Sequence, residues 1–571
     1  MAETRDRWQS RPAFIMAAVG SAVGLGNVWR FPYMAYDNGG GAFFIPYFIA
    51  LLTAGIPLLI LEYGIGQMMQ GSAPNAIKKI NKNFEWVGWF ALLAGSLISI
   101  YYAAVMAWAV RYLWESFSFS LPWATDAGKY FGKVTGKSLV SGEMWLIQWP
   151  LVLCLLFVWL AVFLIIHKGV HRVGKVVMIS VPLPIIILVL LTLRGITLEG
   201  SMEGIVYYLR PDFSRLMDYN VWIAAYGQIF FSLSIGFGIM IAYASYMPRK
   251  SDISNNAFIT SFANCSTSFL AGFAVFSVLG YLAHAQGIPV SEVAKGDAGS
   301  GPGLAFITYP TAICELSEFG SFWPPVISVL FFIMLLALGI DSLFSIVEGV
   351  IAGFHDRMGK ISRTKLTAVI CGFSFLFSIL FVTRGGPAWI GIFDKWANAF
   401  GLAFVGLMEC LVIGYFFRTE RIRDYINHYS EVHLGGWWEL CIKLVTPAIL
   451  LFLFTQKVLT ELTSEIPDDL PYYMTYIGYF IFICMFFAAF FLGKNRIGVW
   501  LINTGAILFT LFLVLNMPPF AAFAAAGATA FLFGGLFISI NIAMKGKDHE
   551  HHESSYHLSE HQAHFKDIEG D

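Results

Sequence analysis

The sequence predicts an all-α polytopic membrane protein on three observations: its apolar composition, a series of hydrophobic runs long enough to cross a bilayer, and glycine-rich breaks inside two of those runs. Of 571 residues, 57% are hydrophobic and 13% charged, with a mean hydropathy of +0.67, a balance that excludes a soluble domain of this size. Ala22-Val23-Gly24-Leu25-Gly26-Asn27 interrupts the first run and Ser234-Ile235-Gly236-Phe237-Gly238 the sixth. Glycine permits the backbone angles that unwind a helix, and N–H and C=O groups freed inside a bilayer need partners in protein, water, ions or ligand. Broken spans in corresponding positions of two halves point to a transporter with a midplane site between inverted repeats.

The runs fall at 12–35, 42–70, 87–116, 146–166, 175–194, 220–246, 255–283, 322–354, 366–382, 387–417, 437–456, 471–492, 497–516 and 519–544. The net charge of −1 says nothing about partners; the placement of Lys and Arg among the loops does orient the chain. Lys78, Lys79 and Lys82, then Lys168, Arg172 and Lys175, then Arg249 and Lys250, then Arg357, Lys360, Arg363 and Lys365 occupy alternate loops, and Arg418, Arg421, Arg423, Lys494 and Arg496 continue the series. Those loops are expected to be cytoplasmic, with both termini inside for an even span count. The last two runs are expected to be extra C-terminal spans, with a re-entrant hairpin turned at Met517-Pro518-Pro519 as the alternative.

Met1 to Arg11 is polar and the apolar run behind it is long and Gly-interrupted, so no cleavable signal peptide is expected. The seven cysteines sit mostly within spans, which gives no external disulfide framework. The only Asn-x-Ser/Thr triplet, Asn264-Cys265-Ser266, lies inside a span. A cell (inner) membrane of a prokaryote fits best. Beyond Lys545 the chain is histidine-rich; His557, His561 and His564 would share one helical face as a zinc or nickel site, while the plainer reading is a solvated tail. There is no G-x-x-x-x-G-K-[ST] loop and no metalloprotease motif, so neither a pump nor an enzyme is expected, and no nucleic-acid partner.

Arg5 to Pro46, with Trp8, the first break, Trp29-Arg30-Phe31-Pro32 and Asn38-Gly39-Gly40-Gly41-Ala42-Phe43, closely resembles the neurotransmitter:sodium symporter family. So do Tyr226-Gly227-Gln228-Ile229-Phe230-Phe231-Ser232-Leu233-Ser234, Tyr243-Ala244-Ser245-Tyr246 and Leu338-Gly339-Ile340-Asp341-Ser342, and the similarity covers about residues 5–493. The resemblance implies a 5+5 inverted-repeat core with discontinuous helices 1 and 6, two further helices, and sodium-driven uptake by alternating access. The expected organisation is a segment 1–11 carrying an inner gate, repeats at 12–194 and 195–417, two helices in 418–493, extra spans in 494–544 and a tail at 545–571.

Leu338, Asp341 and Ser342 stand at i, i+3 and i+4, so a carbonyl, a carboxylate and a hydroxyl face one way. The resemblance adds the carbonyls of Gly20 and Val23 to make one sodium site. An ionised Asp within a span costs about 2.5–3.5 kcal/mol even on the lenient insertion scale, so it calls for a partner. A second sodium site is implied at the Ala22 carbonyl, Asn27, Ser232 and Asn264, completed by the substrate carboxylate. A chloride site is implied at Tyr47, Gln228, Ser232, Asn264 and Ser268, because chloride-dependent relatives carry a neutral residue at the position of Ser268. Hydroxyl and amide donors suit a desolvated halide. Glu62, another carboxylate inside a span, is expected to serve structurally beside the broken sixth helix.

Gly24 stands where relatives that carry monoamines place aspartate, so the resemblance implies a zwitterionic amino-acid substrate. Free N–H groups at the half-helix start, near Gly26, would meet its carboxylate with Tyr102, and carbonyls near Phe231 and Ser234 its amine. The side-chain pocket would be Ile98, Val105, Phe231, Ser234, Phe237, Ser342 and Ile346, suited to a neutral, fairly apolar side chain. Arg30 and Asp394 would form an outer ion pair over Tyr102 and Phe237; Arg5 and Asp356 would form an inner pair beside Trp8 and Tyr246. The expected function is sodium-coupled, chloride-dependent import of a neutral amino acid through a lipid bilayer. The alternatives are transport of GABA, betaine or taurine, or a sensor or channel-like conductor; the sequence assigns no oligomeric state.

Overall fold

A computed structural model describes residues 6–493 apart from 119, 141–142, 295–300, 316–319, 360 and 464–471. The inner-pair residue Arg5, the two last apolar runs and the histidine-rich tail lie outside the described residues. Among those described, nine helices are long and apolar enough to cross a membrane, and Arg11–Ala22 with Leu25–Asp37 forms a tenth span bent by 50°. The broken sixth span, Tyr219–Ser232 and Ile239–Ala244, and the helix Tyr472–Leu492 complete the series of twelve. The chain is thus an all-α polytopic membrane protein, with span 3 at Lys82–Ser116, span 4 at Trp149–Ile166, span 5 at Val170–Ile196, span 7 at Ser254–Gln286, span 9 at Arg363–Val382, span 10 at Gly386–Phe417 and span 11 at Gly436–Glu461, and Tyr472–Leu492 as span 12.

Local chemistry sets the ends of the broken helices. Ser10 caps span 1 by accepting the Ala13 N–H (3.3 Å) with Pro12 in the first turn, where a missing N–H costs nothing. Helical geometry ends at Ala22; Val23 and Gly24 are extended, and the helix restarts at Leu25. Asp218 caps span 6 by accepting the Asn220 N–H at 2.9 Å. That span unwinds through Ser234, Gly236 and Gly238, at φ of 54°, 80° and 72°. Ser234 pays the cost of a left-handed conformation in a residue with a Cβ, and its Oγ donates to the Ser21 carbonyl at 2.9 Å, tying one break to the other.

Span 2, Gly40–Met69, runs beside both halves of span 6. A Cβ on Gly66 would lie 2.2 Å from the Ile241 carbonyl oxygen, so only glycine allows the backbones to meet there. Pro57 cannot donate to the Thr53 carbonyl one turn back, and Thr446 of span 11 donates its hydroxyl to that oxygen instead, at 2.7 Å. A π-helical turn, Leu51–Gly55, surrounds the junction. Spans 4, 5 and 9 form an outer layer; Leu153, Phe157, Ile179, Leu190, Phe373 and Phe377 are exposed on it, as lipid-facing side chains must be.

The segment 284–321, between the seventh and eighth apolar runs, contains the π-helical turn Leu304–Thr308 and the helix Tyr309–Glu315. Phe306 packs against Trp29, Trp108, Phe131 and Phe332, and its carbonyl accepts the Tyr112 hydroxyl at 3.0 Å. This lays the segment against spans 1, 3 and 8. The short helices Ala73–Ile80, Ala127–Thr135, Ser201–Leu209 and Thr419–Tyr429 likewise lie between spans.

Gly66→Ala is expected to lower stability by about 1–3 kcal/mol, the usual cost of overpacking. A thermal melt of the purified protein measures it; an unchanged midpoint would contradict the close approach of spans 2 and 6.

Candidate functional site

The two breaks enclose a cavity of about 30 Å³ lined by Ser21, Ala22, Gly24, Leu25, Gly26, Asn27, Ile98, Tyr102, Phe231, Ser232, Ser234, Phe237, Ser342 and Ile346. With Ala22, whose carbonyl is expected beside the substrate carboxylate, ten of the eleven expected substrate residues therefore converge. Val105 is the exception: it is buried in the core and does not line the cavity. It lies on span 3 seven residues beyond Ile98, about two turns and some 10 Å along the helix, past the reach of so small a space. Ser21 and Leu25 line the cavity without having been singled out by sequence. The hydroxyl of Ser21 is buried with no hydrogen-bond partner.

At one end of the cavity the span 1 backbone is held open by side chains. The Gly24 N–H donates to Asn27 Oδ1 at 2.9 Å and the Leu25 N–H to the Tyr102 hydroxyl at 3.3 Å. No charged side chain lines the space. A Cβ on Gly24 would sit 2.7 Å from Ser342 Oγ and 3.3 Å from Tyr102 Oη. Glycine thus preserves the room at the break.

Asp341 on span 8, Trp323–Met358, is 1% exposed. Its Oδ1 accepts the Ser180 hydroxyl at 2.7 Å, and Oδ2 faces span 1, 3.1 Å from where a Cβ on Gly20 would be. Ser342 Oγ lies 3.5 Å from the Gly20 carbonyl oxygen, 3.3 Å from that of Ser21 and 3.4 Å from that of Leu338. A buried carboxylate with no ion-pair partner among the described residues, grouped with carbonyl and hydroxyl oxygens, is the donor set a hard cation prefers. Ser180, on span 5, carries no local sequence signal for this contact.

On the other side of the break, Asn27 Nδ2 donates to Asn264 Oδ1 at 2.8 Å and to Ser268 Oγ at 2.7 Å, while Asn264 Nδ2 donates to Ser232 Oγ at 2.6 Å. The second group of expected sodium ligands is therefore one connected cluster that includes Ser268. Tyr47 donates to Cys265 Sγ at 3.3 Å. Gln228, one turn before Ser232, is fully buried, and neither atom of its amide has a hydrogen-bond partner among the described residues. An orphaned buried amide costs about 1–3 kcal/mol unless something binds it.

The expected outer ion pair is not formed. Arg30 lies over the Phe231 ring, 4.9 Å from its centroid, and Asp394 Oδ1 accepts Tyr101 Oη at 2.7 Å and Asn398 Nδ2 at 3.3 Å. The carboxylate already has two donors and the guanidinium an aromatic face, so a partly solvated pair offers little extra. Lys457 on span 11 also comes within electrostatic range of both. Trp8 is tied to the second half of span 6: its backbone N–H donates to the Tyr246 carbonyl at 3.1 Å and its indole N–H to the Tyr243 carbonyl at 2.8 Å. Asp356 Oδ2 accepts the Ser72 N–H at 2.7 Å. Tyr246 Oη donates to buried Glu348 at 3.0 Å, and Glu348 pairs with Arg363, a network that fifteen residues of separation hide from a reading of the sequence.

The sodium:neurotransmitter symporter family model matches residues 5–139 and 140–494. The chain belongs to the sodium:neurotransmitter symporter family. It is similar to an uncharacterized sodium-dependent transporter of Methanocaldococcus jannaschii, at 41% identity over 462 residues, 80% of this chain and 92% of the relative. It is also similar to the sodium- and chloride-dependent GABA transporter 2 of Rattus norvegicus, at 36% identity over 515 residues and 84% of each chain. The sodium- and chloride-dependent taurine transporter of Bos taurus is 39% identical over 484 residues, 78% of this chain and 77% of its own. As a symporter family member with about ten apolar spans, the protein is a multi-pass membrane protein of a sodium-dependent class, and these relatives are transporters rather than enzymes.

Gly24→Val is expected to abolish ligand binding in this symporter while leaving the fold intact, because the added atoms enter the cavity rather than the core. Scintillation proximity binding together with a melting curve checks both halves; retained affinity would mean that the cavity is not the binding site.

Proposed function

We propose that this family member imports a small neutral amino acid together with sodium and chloride. The observation that carries the reading is the cavity itself, which is lined by the restart of span 1 at Gly24 to Asn27, by Phe231 to Phe237 of the broken sixth span, and by no charged side chain among the described residues. The N-terminus of Leu25–Asp37 offers the Gly26 N–H and a positive dipole end to a carboxylate. Carbonyls of Ala22, Phe231 and Ser234 would receive the amine. A ligand carrying both groups needs no charged partner from the protein. The cavity has about 30 Å³ of room, against roughly 10–15 Å³ for a single water, so the ligand is small. Ser21, Ser234 and Ser342 add hydroxyls around the apolar Ile98, Phe237 and Ile346.

The oxygens of Gly20, Val23, Leu338, Asp341 and Ser342 would hold one sodium, where the buried carboxylate needs a cation. Ala22, Asn27, Ser232 and Asn264 would hold the other beside the substrate carboxylate. The amide oxygen of Asn27, engaged by the Gly24 N–H, keeps a second lone pair for this role. Chloride would bind among Tyr47, Gln228, Ser232, Asn264 and Ser268; the orphaned amide of Gln228 and the uncharged Ser268 support an anion there. Arg30 with Asp394, and Arg5 with Asp356, would alternate as outer and inner gates, with Trp8 and Tyr246 closing the inner side. The proposed location is a prokaryotic cell membrane with both termini cytoplasmic.

Uptake of radiolabelled glycine, alanine and larger amino acids into proteoliposomes, with sodium and chloride gradients imposed separately, tests the reading. Sodium-dependent uptake of a small amino acid that falls when gluconate replaces chloride is the expected result. The names of the GABA and taurine relatives favour a second reading, and uptake competed only by those ligands or by betaine would replace the first. Current without concentrative uptake would indicate a channel-like conductor instead.

Asp341→Ala is expected to eliminate sodium dependence of uptake and of thermal stabilisation. Ser268→Glu is expected to leave uptake intact in gluconate, because a fixed carboxylate replaces the anion's charge. Unaltered ion dependence in either variant overturns that site.

A further inference from the structure

The outer, lipid-facing layer of spans 4, 5 and 9 ends in lysines on the side of the molecule that holds Trp8. On span 4, Leu164 is followed four residues on by Lys168, just past the helix end; on span 5, Lys175 precedes Met178 by one turn; on span 9, Lys365 precedes Val369 by one turn. All six are exposed, so each lysine continues a row of apolar side chains that faces lipid. The three helix ends meet. The Thr364 hydroxyl donates to the His167 carbonyl at 3.4 Å, and a Cβ on Gly169, the residue before span 5, would lie 3.5 Å from Arg363 Nε. Lys168 and Lys365 are each one residue from these contacts.

Other cations at this end of the fold have acids beside them. Lys78 and Arg357 share Glu85, at 2.9 and 3.2 Å, and Arg363 pairs with Glu348. Lys168, Lys175 and Lys365 take part in no ion pair among the described residues, and half-buried Arg172 adds a fourth such charge. Asp6, which lies against Gly169, offsets one of the four at most. Spans 5 and 9 also begin at this corner, and neither Gly169 nor Ser362 caps its helix with a side chain, so first-turn N–H groups and dipole ends add to the positive potential. Basic loops on one side are general among multi-pass proteins. That rule does not account for lysines that end lipid-facing rows on three helices and lack acids while their neighbours have them.

We propose that this corner binds an anionic phospholipid of the adjoining leaflet, its phosphate among Lys168, Lys175 and Lys365 and an acyl chain along span 9. A zwitterionic headgroup brings its own ammonium and leaves the lysines uncompensated, whereas a net negative headgroup neutralises them. The chain has a place to lie. Gly372, seven residues and about 10 Å along the helix from Lys365, is exposed, with nothing within 4 Å of where a Cβ would stand. The loop between spans 4 and 5 also holds the N-terminal segment, since the Gln9 side chain donates to the His171 carbonyl at 3.0 Å. A lipid that orders this loop therefore steadies the segment that carries Trp8.

Native mass spectrometry of the delipidated full-length protein, offered phosphatidylglycerol and phosphatidylcholine of identical chains at equal concentration, tests this without reference to transport. The wild type is expected to retain phosphatidylglycerol in preference. Each lysine near an anionic surface strengthens binding about fivefold, so the triple variant Lys168→Gln, Lys175→Gln, Lys365→Gln should lose the preference by a factor of about ten or more. Arg249→Gln, Lys250→Gln, Arg421→Gln, which removes three charges from other loops at the same end, should keep it. No preference in the wild type, or an equal loss in both triple variants, overturns the proposal, because basic loops alone would then be responsible. Displacement of the bound lipid by excess inorganic phosphate would show a site for the free anion and would likewise overturn it. Gly372→Phe should weaken retention of both lipids with no change of charge; unchanged retention contradicts the placement of the chain. A melting curve of each variant separates loss of lipid from loss of fold.

Discussion

Interrupting a helix inside a bilayer strands backbone groups that hydrocarbon cannot satisfy, and the arrangement of this molecule follows from how it satisfies them. The Gly24 N–H goes to the side chain of Asn27, the Leu25 N–H to Tyr102, the Ser21 carbonyl to Ser234, and the Gly236 N–H to Glu62. The second and third of these bonds draw spans 3 and 6 onto the first break, and the fourth draws span 2 onto the second. The cavity is what lies between the propped ends.

The same economy appears away from the break. Pro57 leaves the Thr53 carbonyl without its helical donor, and Thr446 supplies one from span 11; the Pro57 carbonyl in turn accepts the indole N–H of Trp438 at 3.1 Å. Two side chains of span 11 thus fasten it to the π-helical turn of span 2. Gly66 lets the second half of span 6 lie against the far end of span 2. Span 2 is therefore a spine that touches both halves of the broken helix as well as the helices added after the core.

The breaks are legible in the sequence because their glycines fall in contiguous runs, and Asp341 because a carboxylate stands out in an apolar run. Most cavity residues are legible for the same reason: they sit within a turn or two of those signals. Side chains that act across long chain separations are not. Ser180 meets Asp341 across 161 residues, and Tyr246 meets Glu348 across 102. Arg30 and Asp394 are visible as opposite charges, but their actual partners, an aromatic face and two neutral donors, depend on tertiary placement. The helical segment 304–315 falls outside the apolar runs because Gly301 and Pro302 mask the apolar stretch that follows, although Leu304-Ala305-Phe306-Ile307 is the signal that would have found it.

The ring of Phe231 has two faces of business. It walls the cavity opposite Gly26, where even a methyl group would meet it at 2.9 Å, and it carries the guanidinium of Arg30. A cation on an aromatic face is stabilised by about 0.5–1 kcal/mol when exposed and about 2 kcal/mol when desolvated. Arg30 gives up that stabilisation whenever it moves to another partner, and whatever presses on the ring from inside the cavity alters the exchange. Occupancy below and charge position above are thereby thermodynamically linked through a single side chain, and the linkage runs equally in both directions.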